Sequence, residues 1–167
     1  MRTKLLVDFI KKESYNLDFE LDGVGMTWGV SYIRFVIGNK MKFESLEHFF
    51  YSTLRSEGNM TSVVQGGETW EKRTDLRRWA IGLKVEPVLS ENLVDLIRDS
   101  VREIADNLKH WTTENTVDVS QLILPDNFDS CWIIKETLYP RHYINTTETY
   151  LAVTNEKYYC IEGHWES

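Results

Sequence analysis

Hydrophobic positions along the chain change period several times, and each change marks an expected element. Leu6, Phe9 and Ile10 repeat at helical spacing and predict a short helix over residues 3–12, with a strand as the alternative. Leu17, Phe19 and Leu21 then alternate with polar residues over Asn16–Asp22, the period of a half-buried strand. Trp28–Ile37 is β-branched and aromatic and also alternates. Gly38-Asn39-Lys40 reads as a turn, with Met41–Phe43 as a returning strand.

Helical spacing resumes at Leu46, Phe49, Phe50, Thr53 and Leu54, with Ser45 as N-cap and Gly58-Asn59 as the stop. Gln65-Gly66-Gly67 is a loop. Thr69–Leu83 predicts a further helix burying Trp70, Leu76, Trp79, Ala80 and Leu83. The clearest stripe is Leu93, Ile97, Val101, Ile104 and Leu108, widened by Val94 and Ala105, on a helix over Glu91–Lys109. Ser90 is its expected cap, and Leu89 and Val94 have the spacing of a hydrophobic staple. Its other face carries Asp95, Asp99, Arg102, Glu103 and Asp106.

The last third reads as sheet. Thr116–Leu124 stops at Pro125, Cys131–Tyr139 stops at Pro140, and Thr149–Val153 and Lys157–Ile161 flank the short loop Thr154-Asn155-Glu156. Strands first, helices in the middle and strands last predict one α+β domain over residues 1–167. Its expected form is a mainly antiparallel sheet with three or four helices packed on one face. A chain of 167 residues, 42% hydrophobic, can bury such a core without metals or disulfides.

Charge changes this picture by its placement. Residues 1–85 hold 13 Lys+Arg against 11 Asp+Glu, while residues 86–167 hold 6 against 15, so the whole net charge of -7 belongs to the second half. Acidic surface keeps proteins soluble, and it also suits a basic partner. Met1-Arg2-Thr3-Lys4 begins like an export signal, but Asp8, Lys11 and Lys12 interrupt the apolar run. No run approaches the roughly 18 apolar residues of a membrane span. The expectation is a cytoplasmic protein with no membrane association. In that setting Cys131 and Cys160 read as reduced buried thiols, with a bridge as the alternative, and the sequons at Asn59 and Asn145 carry no meaning.

Candidate chemistry is sparse. His48 reads as a structural residue of the Phe49-Phe50 helix, His110 as a helix-end cation, and His142 as a loop residue beside Arg141 and Tyr143. Glu162 and His164 share a strand face, where a carboxylate can raise an imidazole's pKa and make a general base or half a metal site. No nucleophile or third ligand stands in a motif around them. Asp126, Asn127 and Asp129 lack the glycine and distal glutamate of a calcium loop and read as a turn. Gly23-Val24-Gly25 and Gly66-Gly67 lack the rest of a phosphate-loop or dinucleotide pattern. Lys72, Arg73, Arg77 and Arg78 near Trp70 and Trp79 could meet phosphates and stack a base, with Arg73 and Arg77 on one helical stripe. Glu68, Glu71 and Asp75 are mixed among them, as on a solvated face. The expectation is therefore no catalytic residue, no metal and no cofactor. A nucleic-acid binder and a small enzyme with an unrecognised site are the alternatives.

The block from Thr147 to Thr154, followed by Lys157-Tyr158-Tyr159-Cys160-Ile161-Glu162-Gly163-His164-Trp165-Glu166-Ser167, resembles the closing hairpin of small bacterial immunity proteins. These proteins guard cells against contact-dependent growth inhibition and other polymorphic toxins. The resemblance implies a stoichiometric inhibitor that binds a cognate toxin domain and blocks its active site or substrate groove. Against a nuclease, carboxylates would take the place of phosphates in a basic cleft. Glu114, Asp118, Asp126, Asp129, Glu148 and Glu156 are the candidate partner-binding residues in expected loops.

Overall fold

The computed structural model describes residues 1–17, 21–28, 31–56, 75–111, 124–138 and 147–164. Among them the order is α1 (Thr3–Lys12), β1 (Leu21–Trp28), β2 (Ser31–Asn39), a 3-10 turn (Lys40–Lys42), α2 (Leu46–Ser56), α3 (Leu76–Ile81), β3 (Leu83–Val88), α4 (Ser90–Trp111), β4 (Ser130–Glu136), β5 (Thr147–Val153) and β6 (Lys157–His164). The six strands form one antiparallel sheet in the order β1-β2-β6-β5-β4-β3. The expected α+β architecture is present, and the C-terminal hairpin β5–β6 fills the centre of the sheet.

The helices do not share one face of this sheet, as the sequence reading expected. Strand side chains alternate in direction, and both sides of the central strands are apolar. Val36, Ile134, Leu151 and Cys160 point toward α1, α2 and α3, packing with Leu6, Phe9, Phe49, Phe50, Leu54 and Trp79. Ile33, Phe35, Ile37, Cys131, Tyr150, Ala152, Tyr159 and Ile161 point the other way, toward Leu93, Val94, Ile97, Val101 and Ile104 of α4. Among the described residues, three helices therefore cover one face and the long helix covers the other. An alternating pattern over β1 and β2 suggests one wet face, but a strand buried on both sides reads as a continuous apolar run. Ile33-Arg34-Phe35-Val36-Ile37 is such a run, interrupted only by Arg34.

Helix α2 is enclosed. All nine residues from Leu46 to Leu54 are buried, the mark of a helix with neighbours all round. Its polar members have partners that make this affordable. The Ser45 hydroxyl caps the helix by accepting the His48 N–H at 3.2 Å. Glu47 Oε1 accepts the Arg2 N–H at 2.5 Å, Ser52 Oγ accepts the Asn16 N–H at 2.8 Å, and Thr53 Oγ1 donates to the Phe49 carbonyl at 3.0 Å. Helix α1 ends where Glu13 turns left-handed at φ 52° and its N–H closes on the Ile10 carbonyl.

Several boundaries depart from expectation. Of the strand predicted over 16–22, Asn16 and Leu17 are not in a strand, residues 18–20 lie outside the described residues, and Leu21 and Asp22 belong to β1, which runs on to Trp28. Lys40–Lys42 is a 3-10 turn in place of the start of a returning strand, set by the Asn39 side chain accepting the Met41 N–H. The helix expected over 69–83 is not continuous. Asp75 is extended and accepts the Arg77 and Arg78 N–H groups, which makes it an N-cap and starts α3 at Leu76. Leu83 belongs to β3, whose Leu83, Val85 and Val88 alternate around Lys84 and Glu86. Ser90 opens α4 but spends its hydroxyl on the Phe128 N–H at 2.7 Å, and Leu89 stays 63% exposed instead of stapling onto Val94. The strand expected over 116–124 and the loop expected at 65–67 lie outside the described residues, except Leu124, which is not in a strand.

Both outer strands carry features that discourage strand addition. Register shifts between Leu21 and Val24 in β1, and β3 contains Pro87, which offers no backbone N–H.

Candidate interaction surface

Helix α4 becomes two-sided because its apolar stripe is committed to the sheet. The opposite side presents Glu91, Asn92, Asp95, Arg98, Asp99, Arg102, Glu103 and Asp106, all exposed. Five of these are carboxylates and two are arginines. Each arginine lies 3.5 Å from a carboxylate oxygen, Arg98 from Asp126 and Arg102 from Asp99. The cations are thus neutralised locally and the ridge stays acidic.

A second acidic segment is pinned beside the start of this helix. Phe128 is buried, with its ring edge-on to Tyr159 at 5.2 Å and its N–H on Ser90 Oγ. The Asp129 N–H donates to the Val153 carbonyl at 2.7 Å. With Phe128 as the anchor, Asp126 and Asp129 stay exposed on either side of it. The β5–β6 loop closes the same end of the sheet, and its exposed Glu156 accepts the Lys40 N–H through its carbonyl at 2.8 Å.

Three of the six candidate partner-binding residues are therefore brought to one end of the sheet: Asp126, Asp129 and Glu156. Glu148 is not among them. It lies at the far end of β5, half-buried, where its Oε2 accepts the Tyr150 hydroxyl at 2.5 Å. Burial, and then this carboxylate, push the Tyr150 phenol well above its ordinary range. Glu114 and Asp118 lie outside the described residues. Sequence reasoning recognised the polar side of α4 but did not select it for binding. The signal was there, as the complement of the apolar stripe.

The other candidate constellations resolve differently. Glu162 is 5% exposed, and the register sets Arg34 and Thr149 directly beside it on the neighbouring strands. Facing residues in adjacent strands are within reach of an ion pair or hydrogen bond, so this carboxylate has a structural setting. His164 is the last residue of β6. His142, Lys72, Arg73 and Trp70 lie outside the described residues. Arg77 and Arg78 are exposed, but Trp79 is fully buried and donates its indole N–H to Glu136, which removes it as a base-stacking surface.

Cys131 and Cys160 are both free and buried, and they face opposite sides of the sheet, so no bridge can join them. Among the described residues, no group of three or more His, Cys, Asp or Glu side chains is placed to hold a metal ion, and no helix is long and apolar enough to cross a membrane. Comparison of the chain with protein-family models, with curated proteins and with solved structures gave no match.

Proposed function

We propose that this chain is a toxin-immunity protein, a stoichiometric inhibitor acting in the cytosol on a cognate toxin domain of the nuclease kind by occupying its basic groove. The observation that carries this reading is the exposed acidic ridge of α4, continued by Asp126 and Asp129. Carboxylates held on a helix and on an anchored segment are preorganised, so little entropy is lost on docking. Opposite charges facing one another across the interface speed encounter and set orientation. The C-terminal hairpin, which carries the resemblance to immunity proteins, supports the reading from the sequence side.

The test is capture of partners from the source cell with tagged protein, followed by affinity measurements on the captured polypeptide. The expected partner is one basic protein domain. Neutralising Asp95, Glu103, Asp126 and Asp129 together to the amides should weaken binding and flatten its salt dependence. Recovery of nucleic acid in place of protein, or an affinity indifferent to those four changes, would sink the proposal.

A further inference from the structure

We propose that His48 is a proton-sensitive latch that holds α1 against α2. The imidazole is 7% exposed and lies flat on the Phe9 ring of α1, with centroids 4.8 Å apart and planes 7° from parallel. Phe43 closes its side, edge-on at 5.6 Å. Nδ1 accepts the Glu44 backbone N–H at 3.2 Å, so this nitrogen must be unprotonated and the neutral ring carries its hydrogen on Nε2. Nε2 is buried and has no hydrogen-bond partner among the described residues.

A second proton has no place in this arrangement. It would have to enter at Nδ1, where it would meet the Glu44 N–H donor head-on. It would also set a full charge in an apolar pocket, with the unpartnered Nε2–H unable to share it. Among the described residues the surrounding charges are few. On the preceding turn Glu44 favours the imidazolium, but burial opposes it more strongly and holds the group below the ordinary histidine range. On α2, Glu47 is occupied by the Arg2 N–H, close to the Met1 amine. From α1, the Lys12 ammonium lies 5.7 Å over the far ring, Phe9, and disfavours a further cation; Asp8 and Lys11 flank that ring in sequence. From β6, Tyr158 approaches through Phe43, at 6.4 Å between rings.

The least costly way to accommodate the proton is to separate Phe9 from His48 and admit water. Helix α1 is one short element whose apolar side, Leu6, Val7, Phe9 and Ile10, rests on neighbouring helices, while the sheet is held by its own ladders. Opening should therefore be local. The sign follows from the lowered pKa. The neutral ring is favoured in the closed form, so the latch is fully closed above the ordinary histidine pKa and weakens as pH falls below it, until the closed form itself is protonated.

The test is hydrogen exchange of the full chain between pH 7 and pH 5, corrected for the intrinsic pH dependence of exchange. Protection of the Leu6–Ile10 amides should hold steady above the ordinary histidine pKa of about 6.5 and fall as pH drops below it, by at most about tenfold per pH unit, while protection in β5 and β6 stays constant. His48→Phe keeps the stacked ring and removes the proton site, and it should flatten the response to less than about twofold. Nitrogen-15 spectra of the unmodified protein read the same site without a mutation: the Nε2–H tautomer at neutral pH, titrating below free histidine together with loss of α1 protection. An ordinary histidine titration with α1 unchanged would overturn the proposal. So would loss of protection across sheet and helices together.

Discussion

Trp79 of α3 donates its indole N–H to Glu136 Oε2 of β4 at 3.0 Å, joining two elements 57 residues apart in sequence. The ring is fully buried against Phe50, at 6.3 Å between centroids, so one side chain supplies both core volume and a polar tie. Trp79→Phe should cost about 1–2 kcal/mol, for the lost hydrogen bond and part of the volume. Trp79→Ala should cost about 3–5 kcal/mol by leaving a cavity. Urea unfolding monitored by circular dichroism measures both, and equal costs for the two variants would contradict this division.

Gly38 is fixed by space. A Cβ there would stand 2.6 Å from Phe43 Cε2 and 2.8 Å from Phe49 Cε2. Both rings are buried and edge-on to each other at 5.2 Å, so neither can turn away without disturbing the other. Gly38→Ala should destabilise by about 1–3 kcal/mol through overpacking. Gly82→Ala meets the half-exposed Leu138 instead and should cost less. Thermal unfolding of the two variants side by side gives the comparison.

The thiols should be silent until the protein unfolds. Burial pushes Cys131 up to about 11, far from the thiolate needed for reaction at neutral pH. Cys160 is equally enclosed, at 2% exposed. Neither should react with a thiol reagent at pH 8 in native conditions, and both should react in denaturant. Oxidant should leave the native protein's mobility unchanged on a non-reducing gel.

Tyr150 sets an alkaline limit. Its folded pKa is raised above the unfolded value of about 10. A group of this sign adds stability that is fully present below pH 10 and is lost as pH rises through the folded value. Stability of the unmodified protein should therefore fall above about pH 10, and Tyr150→Phe should show a shallower fall. A pH titration of the urea midpoint distinguishes them.

Exposed ion pairs should matter little by contrast. Lys135 and Glu86 approach to 2.6 Å but are each half-exposed. Replacing both with Gln should change stability by less than about 1 kcal/mol, since water and salt screen such pairs. A chemical-denaturation midpoint shift larger than that would mark the pair as part of a wider network.

The sequence by itself determined the periodic elements. The stripe of Leu93, Ile97, Val101 and Ile104 located α4, the Ser45 cap located α2, and the Thr154-Asn155-Glu156 loop located the hairpin. These signals are local, because a cap, a turn or a 3.6-residue period is written within a few residues of itself. The same periodicity marked Asp95, Asp99 and Glu103 as the outer side of α4. It could not mark Asp126, Asp129 and Glu156 as neighbours, because their proximity comes from Phe128 docking on Ser90 and Tyr159. Tertiary structure also decided that α4 lies across the sheet from the other described helices, that Cys131 and Cys160 face apart, and that the Trp79 indole N–H meets Glu136. Each of these depends on which side of a strand or helix meets which partner. That choice is made by long-range pairing, where a one-residue change of register reverses every side chain's direction.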